Sequence, residues 1–238
     1  MKKLCDNDVE SQHRNWAHLS RSYPAAFFDR NGQRYEMYEV ELKFVIENCS
    51  EIEQKLTALF ARWCDPIQQI DHYFSHPCRD FSKTDEALRL RQGGERVELT
   101  WKGPRIDQST KTRQELELPI ANGPNKGLEI VDQWTAMLSA LGFCPFIQVV
   151  KTRRPAHVDW DGIGVDVAID TIENMGHFLE LEIRSKSAEI PAARRCLESL
   201  AKALGCSHPE RRSYVECILA AREPATGSLA IVHGRKES

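Results

Sequence analysis

Residues 38–44, Tyr-Glu-Val-Glu-Leu-Lys-Phe, alternate apolar and charged side chains without a break. Successive strand residues point to opposite faces, so Tyr38, Val40, Leu42 and Phe44 share one face and Glu39, Glu41 and Lys43 the other. The same period of two recurs and predicts strands over about 36–47, 67–75, 86–92, 95–103, 111–120, 144–154, 156–160, 164–173 and 176–185. Between them the period changes to that of a helix. Ile52, Leu56, Leu59, Phe60 and Trp63 predict a helix over 51–63, with Ser50 and Glu53 spaced as a capping box. Ile130, Trp134, Met137, Leu138 and Leu141 predict another over 127–141, ended by Gly142, and two more fall at about 189–204 and 211–221. Gln92-Gly93-Gly94, Gly103-Pro104, Asp161-Gly162 and Asn174-Met175-Gly176 mark tight turns. Connections this short make antiparallel neighbours, so the pattern describes an α+β chain dominated by an antiparallel sheet.

The polar faces of these strands are charged rather than merely hydrophilic. Arg89 and Arg91 alternate with Leu88 and Leu90; Glu98 and Lys102 with Val97, Leu99 and Trp101; Arg113, Glu115 and Glu117 with Leu116 and Leu118. Asp166 and Asp170 alternate with Val165, Val167 and Ile169, and Glu180 and Glu182 with Leu179, Leu181 and Ile183. Lys151 and Arg153 share a face in a less regular strand. Any one such strand is what a half-exposed sheet produces. Their repetition, with few Ser, Thr, Asn or Gln at the polar positions, fits strands that close into a barrel and turn these faces inward. A lumen lined by both signs of charge suits a polyanion bound with metal, arginine and lysine taking phosphate oxygens and carboxylates taking the cation.

Composition narrows the partners. The chain has 238 residues, 41% hydrophobic and 28% charged, with a formal net charge of −3. No global basic field draws in nucleic acid, so affinity for phosphate must come from local clusters. No apolar run reaches the roughly 18 residues of a membrane span, and the start, MKKLCDNDVE, lacks the apolar core of a secretion signal. A cytoplasmic location is expected, with neither nucleic acid nor membrane as partner. The eight cysteines form no CxxC pair and read as reduced thiols.

Together these motifs resemble the CYTH superfamily, which groups class IV adenylyl cyclases with thiamine and inorganic triphosphatases. Glu39, Glu41 and Lys43 match its ExExK signature, Arg89 and Arg91 its LRxR strand, and Lys102 in LTWKGP its phosphate lysine. Arg113, Glu115 and Glu117 match RxExE, Lys151 and Arg153 match KxR, and Asp170 followed by GHFLELE, with Glu180 and Glu182, matches the late acidic segment. HYFSHPCRDFSKTDEALRLR, KGPRIDQSTKTRQELE and ERRSYVECIL resemble the class IV cyclase branch of CyaB type.

The resemblance implies an eight-stranded antiparallel β-barrel or tunnel with flanking helices over residues 36–221, between an N-terminal extension (1–35) and a C-terminal tail (222–238). It implies ATP or another triphosphate as ligand and Mg²⁺ or Mn²⁺ as cofactor. Lys43, Arg89, Arg91, Lys102, Arg113, Lys151 and Arg153 would hold phosphate, with Lys43 and Arg113 also acting in catalysis. Glu39, Glu41, Asp170, Glu180 and Glu182 would hold metal. Conversion of ATP to cyclic AMP and pyrophosphate is the leading expectation. A triphosphatase, or a non-catalytic polyphosphate- or nucleotide-binding module, is the alternative, and a homodimer is left open. Glu115 and Glu117 would either share the metal or orient arginines. Asp166 matches no motif and is expected to be structural. Residues 79–86 would form a solvated loop or a lid over the nucleotide, and Tyr214 would follow the cyclase branch or simply pack the last helix.

Overall fold

The chain turns its charged strand faces inward and its apolar faces outward, the reverse of a soluble sandwich. The computed structural model describes residues 27–28, 34–107, 109–122 and 127–222. The expected extension over 1–35, apart from the paired Phe27–Phe28 and Arg34–Tyr35, and the tail after Arg222 lie outside the described residues.

Eight strands build the barrel: β1 (Met37–Ile46), β2 (Ile67–Ser75), β3 (Ala87–Gly93), β4 (Arg96–Arg105), β5 (Arg113–Asn122), β6 (Cys144–Trp160), β7 (Ile163–Ile172) and β8 (Gly176–Lys186). All pairings are antiparallel, in the order β7-β8-β1-β5-β4-β3-β2-β6, and β6 pairs back to β7 to close the ring. The two-residue strand Arg62–Trp63 adds to β6 outside the barrel. The β6–β7 hairpin turns on Asp161 (φ 51°) and Gly162 (φ 77°), the left-handed pair that a type I′ turn requires. The weakest seam is β1–β5, joined only at Tyr38–Gln114 and Glu39–Arg113. Beyond it the Lys111 amide bonds the Glu41 carbonyl at 2.9 Å and brings the Lys111 side chain into the lumen wall.

The core lies between the sheet's outer face and the helices. Helix α1 (Cys49–Ala58) and the C-terminal α4 (Ile190–Leu204) cover β1, β7 and β8, packing Ile52, Leu56, Leu197 and Leu200 on Val40, Leu42, Val167 and Leu181. Each large aliphatic buried here contributes about 1.5–3 kcal/mol. The short α2 (Phe81–Thr84) and α3 (Gly127–Ala140) lie on the opposite side, where Val131 and Leu138 pack with Phe74, Leu90 and Val97. The last helix, α5 (Tyr214–Arg222), sits over one mouth of the barrel, with Tyr214 against Phe178, Val149 and Ile172.

Several expected boundaries move. The first helix ends at Ala58 instead of running to 63, and its cap is Asn48, whose side chain accepts the Glu51 amide at 3.1 Å, rather than Ser50. Phe60 turns left-handed at φ 60°, and Arg62–Trp63 becomes a strand. The strands expected at 144–154 and 156–160 are one, β6. Pro155 stays in register opposite Ala168, and its carbonyl accepts the Cys64 amide at 2.9 Å. The last helix begins at Tyr214, not 211.

Candidate active site

Every charge singled out on the strands except Asp170 lines one cavity of about 1030 Å³. On β1, Glu39, Glu41 and Lys43 face this lumen while Val40, Leu42 and Phe44 face the outer core. Arg89 and Arg91 on β3, Lys102 on β4, Arg113, Glu115 and Glu117 on β5, Lys151 and Arg153 on β6, and Glu180 and Glu182 on β8 complete the wall. Asp170 on β7 is fully buried behind it.

Two buried aspartates hold the arginines and one lysine in place. Asp71 on β2 accepts Arg91 Nε and Nη2 at 2.6 and 2.7 Å and lies 3.8 Å from Arg89. Burial alone would raise its carboxyl, but Arg91 and Arg89 outweigh burial and hold it below the ordinary carboxylate range. Asp170 accepts Lys151 Nζ at 2.7 Å, Arg153 Nε at 2.7 Å and the Tyr214 hydroxyl at 2.9 Å, and it is likewise held low against its burial by Arg153 and Lys151. Arg153 also pairs with Glu180. Arg89 donates to Thr100 Oγ1 at 3.1 Å, while its buried Nε finds no partner. Lys111 pairs with Glu41 at 2.7 Å.

Lys43 is 1% exposed. Its ammonium lies 4.0 Å from the centre of the Tyr214 ring and donates to the Arg212 carbonyl at 2.5 Å. Burial first, and Lys111 second, lower its pKa to about 8. Lys151 is lowered to about 8 by burial and the neighbouring Arg153. Lys102 goes the other way. Burial disfavours its charge, but Glu115 and Glu39 more than compensate, with Lys102 Nζ 2.5 Å from Glu39 and 3.4 Å from Glu115.

The structure divides the expected metal ligands. Oxygens of Glu39, Glu115 and Glu182 lie within 4.8 Å of one another, with Lys102 against the first two and Arg184 3.4 Å from the third, whereas Glu41, Asp170 and Glu180 stand apart, paired with Lys111, Lys151 and Arg153. Three carboxyls this close repel when ionised. Burial, then Glu115, raises Glu39; burial, then Glu39, raises Glu182 to about 8. A hard divalent cation relieves that repulsion through oxygen ligands, so this trio fits Mg²⁺ or Mn²⁺.

Glu117 instead pairs with Arg184 at 3.2 Å. Asp166 lines the cavity too, but bonds the His157 ring at 2.8 Å with its side chain largely exposed. The segment 79–86 is ordered by α2 and by Arg79–Glu86 at 3.2 Å, with Trp101 and Thr84 also donating to Glu86. It lines the same cavity. Arg105 ties it to α5, reaching Asp85 at 2.7 Å and Glu216 at 3.5 Å. Sequence patterning passed over Asp71, Lys111, Arg105 and Arg184. Asp71 carries a usable signal, since it shares the inward parity of Gln69 and Tyr73 on β2. Lys111 and Arg105 flank a loop and carry none.

A closed antiparallel barrel whose lumen carries both signs of charge defines a triphosphate-tunnel protein. The CYTH domain profile matches residues 37–214, and the chain belongs to that family. A Methanocaldococcus jannaschii protein named a putative adenylate cyclase is 32% identical over 185 residues, spanning 76% of this chain and 98% of the relative. The structure of the PH1819 protein of Pyrococcus horikoshii is 40% identical, with a TM-score of 0.66 over 77% of this chain and 99% of its own. The same fold appears at 18% identity and a TM-score of 0.54 in a Hippeastrum protein with a dominant triphosphatase activity, over 77% of this chain and 96% of that one.

Proposed function

We propose that the protein is a metal-dependent adenylyl cyclase that converts ATP to cyclic AMP and pyrophosphate inside the tunnel. The observation that carries this reading is one cavity of about 1030 Å³ in which a basic belt and a carboxylate trio adjoin a mouth where Phe81, Phe146 and Leu219 stand among charged side chains. The belt suits a triphosphate, and the mouth leaves room for a nucleoside. Arg89, Arg91, Arg113 and Arg153 offer planar paired donors to phosphate oxygens; Lys43, Lys102 and Lys151 offer point charges. Glu39, Glu115 and Glu182 would hold Mg²⁺ or Mn²⁺. When bound, the cation would neutralise charge on the phosphates and lower the pKa of the attacking hydroxyl.

In this reaction the ribose 3′-oxygen bonds to the α-phosphorus, the bond to the α–β bridging oxygen breaks, and pyrophosphate leaves with that electron pair. The hydroxyl proton passes to solvent. The fixed cations stabilise the charge that accumulates on the phosphates as this occurs. The jannaschii relative is named a putative adenylate cyclase, which agrees with this reading.

A second reading is hydrolysis of a triphosphate, because the belt and trio need no nucleoside, and the Hippeastrum neighbour's dominant activity is of this kind. Incubation with Mn²⁺ and ATP, 3′-deoxy-ATP or inorganic triphosphate separates the two. A cyclase yields cyclic AMP and pyrophosphate from ATP and leaves 3′-deoxy-ATP intact. Phosphate release from 3′-deoxy-ATP and inorganic triphosphate, without cyclic AMP from ATP, would overturn the proposal.

A further inference from the structure

The two mouths of the tunnel differ in chemistry. One is rimmed by Arg96, Glu98, Glu117 and Arg184, a charged ring without aromatic side chains. The other, where β2 ends and β6 begins, is charged as well, through Arg79, Asp85, Glu86 and Glu216, but adds His76, Phe81, Phe146 and Leu219. Among the described residues, Phe146 and Leu219 are the only large hydrophobics both exposed (56% and 38%) and on the cavity wall. Apolar side chains left open toward a ligand-sized cavity offer a face on which a flat ring stacks.

His76 is held there in one state. Its Nδ1 accepts the backbone amides of Cys78 and Arg79, both at 3.0 Å. Amides only donate, so Nδ1 carries no proton and Nε2 carries the ring's N–H. Burial, and then the Arg79 cation, lower the His76 pKa and favour this neutral form. Phe143 meets the ring edge-on at 5.0 Å, and Phe81 lies 5.6 Å away, so its plane is fixed. His76 stands three residues beyond Tyr73, the β2 partner of the phosphate-side Arg89, about 10 Å along the chain toward the mouth. A ribose fits in that interval.

We infer that this mouth is the base subsite of a nucleoside triphosphate, where a purine packs against Phe81, Phe146 and Leu219 and a ring nitrogen accepts the His76 Nε2–H. The inference rests on reading the tunnel as a nucleoside triphosphate site, and it assigns His76 and Phe146 as specificity-determining residues. Neither contacts the basic belt's ion pairs, so neither should affect a ligand that lacks a base.

Calorimetric titration of the full chain with ATP and with tripolyphosphate, both in EDTA to prevent turnover, tests it. His76→Ala and Phe146→Ala should each weaken ATP about tenfold and leave tripolyphosphate affinity essentially unchanged. Because Phe146 is exposed, its variant reports on the subsite even if loss of the His76 cap loosens residues 77–80. Equal weakening of both ligands, or ATP affinity unchanged in the Phe146 variant, would overturn the subsite. So would failure of the wild-type chain to bind ATP. The cyclase reading fails separately: if no cyclic AMP forms with Mn²⁺ while the selective loss of ATP binding holds, the subsite stands and the reaction assignment falls.

Discussion

Replacing Asp71 by Asn tests whether buried carboxylates hold the tunnel's arginines ready. Asp71 has no exposed surface, takes two hydrogen bonds from Arg91 and lies beside Arg89. Removing one partner of a buried ion pair leaves an uncompensated charge and costs about 3–5 kcal/mol. Asparagine keeps the shape and one acceptor oxygen, so the lower end, about 3 kcal/mol, is expected. For a domain of this size each kcal/mol moves Tm by about 2–4 °C, giving a fall of roughly 6–12 °C. The pH sign follows from the lowered Asp71 pKa. Such a group stabilises the fold above its unfolded pKa, about 3.9, and the contribution is lost as pH falls through the folded value. The gap between wild type and variant is therefore full at pH 7 and narrows under acid conditions. Tripolyphosphate returns charge to the freed arginines, and at a hundred times Kd it adds about 2.7 kcal/mol to any protein that binds it. It should raise the variant's Tm at least as much as the wild type's. Thermal unfolding at pH 7 and at about pH 3, below the unfolded pKa, with and without tripolyphosphate, reads all three quantities. An unchanged Tm at pH 7, or a gap that widens in acid, would refute the reasoning.

Mn²⁺ should raise the Tm of the wild-type chain, and Glu39→Gln or Glu182→Gln should abolish the rise. Without metal, Glu182→Gln should stabilise the protein at pH 8. A carboxyl raised to about 8 holds its proton in the folded state, so stability is lost as pH climbs from its unfolded value toward 8, and glutamine removes that loss. Tripolyphosphate affinity should decline between pH 7 and 9, because Lys43 and Lys151, both near 8, lose their charge; a flat calorimetric profile would mean that neither lysine holds the ligand and that the arginines and Lys102 do. Tyr214→Phe removes the donation to Asp170 but keeps the ring beneath Lys43, so chemical denaturation should show a loss of about 1 kcal/mol rather than collapse.

Strand alternation proved legible because it is local. Parity along β1, β3, β5 and β8 put Glu39, Arg89, Arg113 and Glu182 on one wall before any pairing was known. Pro155 misled, since a missing N–H breaks a strand only where the ladder needs it, and β6 runs through to Trp160. The first helix was overextended because Leu59, Phe60 and Trp63 keep helical spacing; Phe60 turns left-handed and ends 88% exposed. Which carboxylates meet depends on register across strands distant in sequence. Glu115 joins Glu39 and Glu182 only because β5 and β8 both flank β1. Asp71, a lone acid in a strand without a repeated charge pattern, shows its role only when β2 pairs with β3 and sets it opposite Arg91.

The carboxylates in this tunnel divide by what can reach them. Asp71 and Asp170 are fully buried behind the wall, so no ligand displaces them, and they offset cations that would otherwise repel one another. At 4 Å two like charges cost about 4 kcal/mol even at an effective dielectric of 20. A barrel lined with arginines and lysines could not close unliganded without such partners. Glu39, Glu115 and Glu182 stand on the wall itself, Lys102 lies between the first two, and Arg184 is 3.4 Å from the third. A cation arriving there competes with Lys102 for the same oxygens. Metal binding would therefore release Lys102 toward the phosphates just as a triphosphate arrives with charge for it to meet. This couples the two ligands through one side chain, so each should bind more tightly in the presence of the other, by the same factor.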